Sequence, residues 1–167
     1  MPSPVVTGFL QQHRVHYCTV PHAEAHTAAQ TAAAAHVTGF SLAKTVVVKL
    51  DGRLAMVVVP ATCRIDLEHV RQATGAKRAE LAAEEEFCFA FPDCELGAMP
   101  PIGALYGMEV YVCQGLASCD RVFFNGGSHR QLVCMPYAEF AELARPREIG
   151  IACGRDCCAH PRRKGGG

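Results

Sequence analysis

The stretch of residues 45–59, TVVVKLDGRLAMVVV, decides the fold class of this chain. Two valine-rich runs flank Asp51-Gly52, and this dipeptide favours the tight turn of a β-hairpin. We therefore expect one strand over residues 45–50 and a second over residues 54–59, paired antiparallel. The sheet must grow outward from this hairpin, because no other part of the chain has so dense a run of β-branched residues.

Further elements are predicted on both sides of the hairpin by apolar periodicity and by end signals. Asp66 is a suitable N-cap for a helix that Gly75 ends. Asn125-Gly126-Gly127 connects two strands, and Pro136 is tolerated in the first turn of the last helix. We expect helices over residues 4–12, 28–35, 67–73, 80–89 and 137–143, and strands over residues 17–20, 109–113, 121–124 and 131–135.

These elements predict an α/β protein of the α+β type, with a mixed and largely antiparallel sheet packed by helices. At least two strand pairs are hairpins, and few connections are long enough for a parallel crossover. The helix predicted over residues 28–35 also carries a capping-box pattern, in which Thr27 is followed by Gln30. Gly39 is expected just beyond the end of that helix.

Composition places the chain among ordinary globular proteins. It has 167 residues, 50% of them hydrophobic, and equal numbers of basic and acidic residues. A zero net charge excludes a protein that wraps a long nucleic acid, although it allows contact with one end of an RNA through local cations. No apolar run reaches the roughly 20 residues that span a bilayer, so no membrane partner is expected.

Ten cysteines are many for this length. The first ten residues contain no secretory signal pattern, so we expect a cytoplasmic protein whose thiols are mostly reduced, buried and inert. From Arg147 onward the apolar period is lost and the chain ends in a basic, glycine-rich segment. We therefore divide the sequence into one domain over residues 1–146 and a loose, cysteine-rich tail over residues 147–167.

Three features carry possible chemistry. Lys44 opens the first hairpin strand, and alternation puts its side chain on the face of Val46 and Val48, with the ammonium at the sheet rim. Taken alone, Lys44 fits a solvated strand-end cation better than a functional residue. The second feature is the loop Gly97-Ala98-Met99-Pro100-Pro101-Ile102-Gly103, whose prolines fix the backbone and whose glycines allow a ligand to approach closely.

Such a loop can direct backbone N–H groups at a carbonyl oxygen and stabilise an oxyanion, or it can be a tight surface connection. The third feature is Asn125-Gly126-Gly127-Ser128-His129-Arg130. It can form an anion-binding concavity of N–H groups, or it can be an ordinary hairpin turn.

Other histidines and cysteines give weaker signals. His22 and His26 have a spacing that suits metal ligands only within a helix, and the Thr27 cap places them outside one. The tail carries Cys153, Cys157, Cys158 and His160, but their spacing fits no standard zinc pattern. We therefore assign no metal and no cofactor.

Together these pieces resemble the YbaK/EbsC family, the free-standing relatives of the editing domain of bacterial prolyl-tRNA synthetases. The resemblance runs over roughly residues 5–145. It rests on residues 17–22, on Ala43-Lys44-Thr45 with the hairpin that follows, on residues 65–75, on the Gly97–Gly103 loop, and on the segment from Phe124 to Arg130.

The resemblance implies a curled mixed sheet and hydrolysis of mischarged aminoacyl-tRNA, with a small amino acid such as Cys, Ala or Ser on tRNA for proline or a related tRNA. It implies Lys44 and Gly97 as catalytic residues. It also implies a substrate-binding group consisting of His22, Thr45, Ala98, Met99, Pro100, Pro101, Gly103, Gly126, Gly127, Ser128 and His129. The acceptor end of the tRNA is the implied partner, and an aminoacyl-tRNA synthetase is a further candidate.

Two departures from the family pattern affect this interpretation. The family loop often has two adjacent glycines, whereas this chain has Gly97-Ala98, and the extra methyl could narrow the pocket. The cysteine-rich tail has no counterpart in the family. Two alternatives therefore stay open: a non-catalytic module of the same fold that binds aminoacyl-tRNA or a nucleotide, and, ranked last, a thiol-redox or metal protein centred on the tail cysteines.

Overall fold

The computed structural model describes residues 4–25, 28–35, 41–61, 63–95 and 98–149. Within them the hairpin lies where the sequence predicts it. Strand β2 spans Leu42–Leu50 and strand β3 spans Arg53–Pro60, paired antiparallel throughout. Asp51 and Gly52 both have positive φ angles, 51° and 83°, which is the turn that matches the twist of paired strands.

The remaining elements surround this hairpin. The helices are α1 (Pro4–Gln12), α2 (Ala28–Ala35), α3 (Leu67–Thr74), α4 (Glu84–Phe87), α5 (Gln114–Ala117) and α6 (Tyr137–Ala144). The other strands are β1 (Cys18–Pro21), β4 (Ala79–Leu81), β5 (Glu109–Cys113), β6 (Arg121–Asn125), β7 (Gln131–Pro136) and β8 (Arg147–Ile149). Two short 3-10 helices span Cys88–Ala90 and Gly103–Leu105.

The described strands form one mixed sheet in the order β1-β7-β6-β2-β3-β5-β8, and β4 also pairs with β2. Four of the strand pairings are antiparallel, while β2–β6, β3–β5 and β5–β8 are parallel. The predicted α/β class with a mixed, largely antiparallel sheet is therefore confirmed.

Strand alternation divides the core between the two faces of the sheet. Val47 and Val58 point into the larger cluster, with α1 and α6 packed over it. Val48 and Val57 point to the opposite face, where α3 packs through Val70. The central strand β3 is almost wholly buried, with Met56 to Val59 at 0% exposure. A strand covered on both faces explains why its sequence is continuously apolar rather than alternating.

Helix α3 confirms its predicted ends. The carboxylate of Asp66 accepts hydrogen bonds from the amides of Glu68 and His69, at 3.0 and 3.3 Å. Gly75 closes the helix in the left-handed conformation, with φ at 76°. This helix is therefore fixed at both ends, and so is the start of the loop that leads into it from β3.

Three predicted boundaries are wrong. Residues 80–89 were predicted as one helix, but residues 79–81 form β4 because the edge of β2 offers them backbone partners. Strand β2 starts at Leu42 rather than at Lys44, because Leu42 pairs with β6. Pro136 is the last residue of β7 and the N-cap of α6, and so lies just before the first turn in which it was expected. The sheet also continues through β8, three residues into the segment expected to be a loose tail.

The cysteines are less uniform than the sequence suggested. Among the described cysteines, Cys113 is disulfide-bonded and so is an exception to the predicted reduced thiols. The other described cysteines form no disulfide bond, and Cys18 and Cys88 are exposed rather than buried. The predicted Thr27 cap, Gly39 and the tail residues Cys153, Cys157, Cys158 and His160 lie outside the described residues. No helix in the described part of the chain is long and apolar enough to cross a lipid bilayer.

Candidate active site

A gap in the sheet defines the candidate site. On one edge of β2, the ladder with β6 ends at Ala43 and the ladder with β4 begins at Val48. Between them the described chain has no strand partner on this edge, apart from a bond from the amide of Ala82 to the carbonyl of Val47. Because Ala43 and Val47 direct their backbone groups to this edge, Thr45 between them also directs its amide and carbonyl into the gap.

A cavity of about 470 Å³ lies at this gap. The edge of β2 forms the floor of the cavity, so consecutive residues of this strand line it from both faces of the sheet. Helix α4, the loop before α3 and the connection after β6 complete the wall. The lining residues are Thr31, Leu42, Ala43, Lys44, Thr45, Val46, Val47, Ile65, Leu81, Ala82, Glu84, Phe87, Met99, Asn125 and His129.

Lys44 is held at the rim of this cavity by the loop between β3 and α3. Its Nζ donates a hydrogen bond of 2.6 Å to the carbonyl oxygen of Cys63. Val46 and Val48 lie in the core cluster that contains Cys63, as the alternation of the strand predicted for the face of Lys44. Among the described residues no carboxylate is paired with Lys44, so its positive charge is available to an anionic ligand.

The proline loop and the glycine turn are joined by backbone hydrogen bonds. The amide of Gly127 donates to the carbonyl of Ala98 at 2.8 Å, and the amide of Glu95 donates to the carbonyl of Gly127, also at 2.8 Å. The amide of Ala98 in turn donates to the carbonyl of Glu95 at 3.0 Å. Two segments about thirty residues apart in sequence therefore form one unit, and each sends side chains into the cavity: Met99 from the loop, Asn125 and His129 from the turn.

The rest of the proline loop is buried behind the cavity. Ala98 and Ile102 are at 0% exposure, and Pro100, Pro101 and Gly103 are also buried. Gly103 has a steric reason to be glycine, since a Cβ there would lie 2.0 Å from the carbonyl oxygen of Met108. Its role in the described structure is close packing against β5.

The loop has few amides to offer to a substrate. Prolines have no N–H group, and the amide of Ala98 is bonded to Glu95. Gly97 lies outside the described residues. The amide of Thr45 lies in the gap between the two ladders, where it has no strand partner among the described residues, and it is a further donor at the cavity.

His129 and Ser128 are buried residues of the glycine turn, at 6% and 8% exposure. The carboxylate of Glu95 accepts a 3.0 Å hydrogen bond from the amide of His129, and it lies 3.9 Å from the ring Nε2. The Ser128 hydroxyl accepts a bond from the amide of Arg130 at 3.1 Å. Ser128 therefore stabilises the turn, whereas the imidazole of His129 reaches the cavity wall.

Two side-chain oxygens at the cavity have no hydrogen-bond partner within the part of the chain that the structure describes. They are Thr45 Oγ1 and Asn125 Oδ1, and both atoms are buried. An unsatisfied buried polar atom costs free energy, and such atoms are rare in folded proteins unless a ligand or a water pairs with them. These two atoms therefore mark where a polar group of a ligand would bind.

His22 lies just after β1, outside the lining of the cavity. Its amide donates to the carbonyl of Arg130 at 2.9 Å, and its ring Nδ1 donates to the carbonyl of Ala23 at 2.7 Å. The second ring nitrogen is buried without a partner. His22 thus fastens the β1 end to the glycine turn, and His26 lies outside the described residues.

The structure brings four of the sequence-predicted site residues to the cavity: Lys44, Thr45, Met99 and His129. It places the others behind or beside the lining, namely His22, Ala98, Pro100, Pro101, Gly103, Gly126, Gly127 and Ser128. Sequence reasoning missed Asn125 as a wall residue, because Asn-Gly is so strong a turn signal that the amide was assigned to the turn. It also missed α4 and Leu81, which approach the site only through pairing of β4 with β2.

A larger cavity of about 610 Å³ lies at the other end of β2, near the Asp51 turn and Gly107. None of the residues that the sequence singled out for chemistry lines it. The smaller cavity is therefore the candidate site, because it alone of these two contains the lysine, the loop and the turn.

Comparison with known proteins supports one family. The sequence model of the aminoacyl-tRNA editing domain family matches residues 22–143 of the chain. No curated protein matches the sequence. Among solved structures, one described as a candidate trans-editing enzyme for prolyl tRNA synthetase superposes with a TM-score of 0.76 at 21% identity, covering 92% of this chain and 100% of that one.

A second solved structure, that of hypothetical protein APE2540, gives a TM-score of 0.76 at 20% identity and covers 87% of this chain and 98% of its own. A third, from a study of epitope grafting onto scaffold proteins, gives 0.75 at 20% identity and covers 92% and 99%. At these identities the structures show a shared fold. The family match extends from the end of β1 to within α6 and so includes every wall of the cavity, and the chain belongs to the aminoacyl-tRNA editing domain family.

Proposed function

We propose that this protein is an aminoacyl-tRNA deacylase, which hydrolyses the ester between a small amino acid and the terminal ribose of a mischarged tRNA. The observation that carries the proposal is the shared cavity. One hollow of about 470 Å³ contains the ammonium of Lys44, the orphaned oxygens of Thr45 and Asn125, and the imidazole of His129. Cysteine, alanine and serine, on tRNA for proline or a related tRNA, are the substrates we propose.

The size of the cavity fits the end of a tRNA rather than a duplex. Pockets for small ligands enclose roughly 300–1,000 Å³, a range that includes one aminoacylated nucleotide. The overall charge of zero agrees with this, because a protein that holds one RNA end needs few cations. Lys44 is the cation at the cavity, and we assign its ammonium to the terminal phosphate and the adjoining ester.

The two orphaned oxygens suit the other end of the ester. An aminoacyl group carries a free α-ammonium, which has only donors to offer. Thr45 Oγ1 and Asn125 Oδ1 can accept from it, and their burial would make such charge-assisted bonds strong. The side chain of the amino acid would then contact apolar wall residues such as Val47 and Met99, and a narrow space there favours small residues.

Hydrolysis at this site requires little more than positioning. An ester is already activated compared with an amide, so a bound water, or the substrate's own side chain, can attack the carbonyl carbon. The negative charge that develops on the carbonyl oxygen would be stabilised by the Lys44 ammonium and by a backbone amide. The leaving ribose oxygen takes up a proton as the ester bond breaks, and this balances the proton that the attacking water or side chain loses.

The identity of that amide is part of the proposal. Gly97 was the residue expected to supply it, together with its loop. Since the prolines lack N–H groups and the Ala98 amide is bonded to Glu95, the amide of Thr45 is a second donor for the same task. The proposal keeps both, and a synthetase remains a proposed partner that would deliver the tRNA.

The test is a panel of mischarged tRNAs presented to the purified protein, with release of free amino acid as the readout. We expect turnover of one or more small aminoacyl esters and none of correctly charged prolyl-tRNA. Binding of aminoacyl-tRNA without release would reject the deacylase and leave the non-catalytic module of the same fold. No binding and no release across the panel would reject both.

A further inference from the structure

Two free cysteines are paired across strands β1 and β7, at the edge of the sheet. Neither belongs to the candidate active site. Cys18 on β1 and Cys134 on β7 are direct partners in the antiparallel register. Both are free, Cys18 is exposed and Cys134 is buried. Their side chains are also close enough to interact electrostatically.

The register of the strands sets the distance between them. His22 donates to the carbonyl of its own register partner, Arg130, so this is a hydrogen-bonded pair. Counting back in steps of two along the ladder makes Cys18 and Cys134 a pair of the same type. Such pairs have Cα atoms about 5.5 Å apart, within the roughly 4.4–6.8 Å that a disulfide spans.

An arginine lies against the buried sulfur atom of this pair. The Nε of Arg121, on the neighbouring strand β6, donates to Cys134 Sγ at 3.3 Å, and its guanidinium is close enough to Cys18 to interact with it electrostatically. A guanidinium beside a thiol stabilises the thiolate that forms when the sulfur acts as a nucleophile. Burial nevertheless raises the pKa of Cys134, so this sulfur is a protonated thiol at rest, and the exposed Cys18 is the sulfur that meets a reagent first.

We propose that Cys18, Cys134 and Arg121 form a peroxide-oxidisable dithiol site, in which Cys18 is the peroxidatic sulfur and Cys134 the resolving one. In the first step the Cys18 thiol attacks a peroxide, its S–O bond forms as the O–O bond breaks, and the products are a sulfenic acid and an alcohol or water. In the second step the Cys134 thiol attacks that sulfenic sulfur, the S–O bond breaks, water leaves and the Cys18–Cys134 disulfide forms. The peroxide supplies the oxidising equivalents.

The disulfide would lock an edge that adjoins the candidate site. Just beyond the end of β1, the amide of His22 donates to the carbonyl of Arg130. Arg130 directly follows His129, which lines the cavity. The two cysteines are 116 positions apart in sequence, so the cross-link would constrain most of the unfolded chain. The oxidised protein is therefore expected to unfold at a higher temperature than the reduced one.

The experiment treats the full reduced chain with hydrogen peroxide in increasing molar ratio, blocks remaining thiols, and maps cross-linked peptides by mass spectrometry. The expected result is a Cys18–Cys134 peptide pair as the first new linkage, reversed by dithiothreitol. Cys134→Ala should stop the cross-link and leave a sulfenic acid on Cys18 that dimedone traps. Arg121→Gln should slow formation of the cross-link several-fold while leaving the dimedone reaction of Cys18 in place.

Cys88 provides the matched control, since it is also exposed and free but is not a register partner of another cysteine in the paired strands. Cys88→Ser should leave the cross-link unchanged. Oxidation that reaches Cys88 as readily as Cys18, or peroxide treatment that never joins Cys18 to Cys134, would overturn the proposal. Both readouts are independent of any activity on tRNA.

Discussion

The ammonium of Lys44 donates a hydrogen bond of 2.6 Å to the carbonyl oxygen of Cys63. The acceptor is a neutral carbonyl in the loop between β3 and α3, so the bond orients the lysine without neutralising its charge. Asp66 caps the helix that follows this loop and thereby fixes the position of the loop. A phosphate that enters the cavity can replace the Cys63 carbonyl as the acceptor of the Lys44 ammonium. The exchange costs little free energy, because a charged acceptor binds an ammonium more strongly than a carbonyl does.

Replacing Lys44 with alanine should remove deacylation while leaving the fold intact. The loss of a charged stabilising group from an ester-hydrolysing site is expected to lower the rate constant by roughly 10²–10³-fold. The measurement is single-turnover release of the amino acid from a mischarged tRNA, with circular dichroism to check the fold. Lys77→Ala is the matched control, since Lys77 is exposed and outside the cavity. Equal activity in both variants would contradict the role of Lys44.

Replacing Asn125 with leucine should weaken selection for the free α-ammonium. The orphaned Oδ1 is expected to gain a hydrogen bond with a charged group, worth about 1.5–3 kcal/mol, so kcat/KM should fall roughly 10- to 100-fold. Wild-type protein should also hydrolyse N-acetylaminoacyl-tRNA poorly, because acetylation removes the charge. The variant should discriminate less between the two esters, because only Thr45 Oγ1 is left to accept from the ammonium.

Gln131→Met is the control for Asn125, since Gln131 Oε1 is also buried and unpartnered but lies outside the cavity lining. It should keep the preference for the free amine. If wild-type protein hydrolysed both esters equally well, the ammonium subsite would be wrong while the deacylase activity itself would stand.

Replacing Gly103 with alanine should destabilise the fold. The added Cβ would lie 2.0 Å from the Met108 carbonyl oxygen and 2.6 Å from a methyl of Val110, so the loop and β5 must separate. Overpacking of this kind costs about 1–3 kcal/mol in the free energy of unfolding, which urea denaturation measures. Gly8→Ala is the control, because a Cβ there meets nothing within 4 Å and lies in helix α1, where alanine is favoured. A Gly103→Ala protein as stable as wild type would show that the loop can yield.

Asp51 should contribute to the acid sensitivity of the fold. Hydrogen bonds from the backbone amides of Arg78 and Lys77 lower the pKa of its carboxyl below the ordinary 3.8. Because the folded-state pKa is the lower one, the carboxylate stabilises the fold above the ordinary pKa, and that stabilisation is lost as the pH falls through the lowered value.

Asp51→Asn tests this pH dependence, since asparagine tolerates the positive φ angle and can accept a hydrogen bond but carries no charge. Thermal unfolding midpoints of both proteins should be compared between about pH 6 and pH 2. The difference in favour of wild type should shrink as the pH falls. A difference that stays constant over this range would show that the charge of Asp51 does not matter.

Local patterns in the sequence predicted much of the fold. The hairpin around Asp51, the capped helix from Asp66 to Gly75 and the strand pair around Gly126 all appear as expected. In each case the signal lies within a few residues, through a turn dipeptide, a cap or an alternating pattern. Pairings with distant partners were missed, as when Glu80 and Leu81 joined the edge of β2 instead of a helix.

The candidate site divides in the same way. Lys44 and the Gly97–Gly103 loop were predicted from their residue types. The structure places Lys44 and Met99, a residue of that loop, at one cavity. Asn125 was predicted only as part of the turn from Asn125 to Arg130, and Leu81 only as part of a helix, since nothing local identifies either side chain as part of the cavity wall. The hydrogen bond from the Ala98 amide to the Glu95 carbonyl could not be predicted either. It forms where both residues are also hydrogen-bonded to Gly127, which is distant in sequence.

The sequence by itself determined the elements whose causes are local: the hairpin, the caps, the turns and the apolar faces that must be buried. Only the tertiary structure decided that β6 and β4 meet the same edge of β2 without meeting each other, which leaves the backbone of Thr45 open to a cavity. The physical reason is that hydrogen bonds between strands depend on the register of segments far apart in the chain, and no short pattern of residues encodes where two such ladders stop.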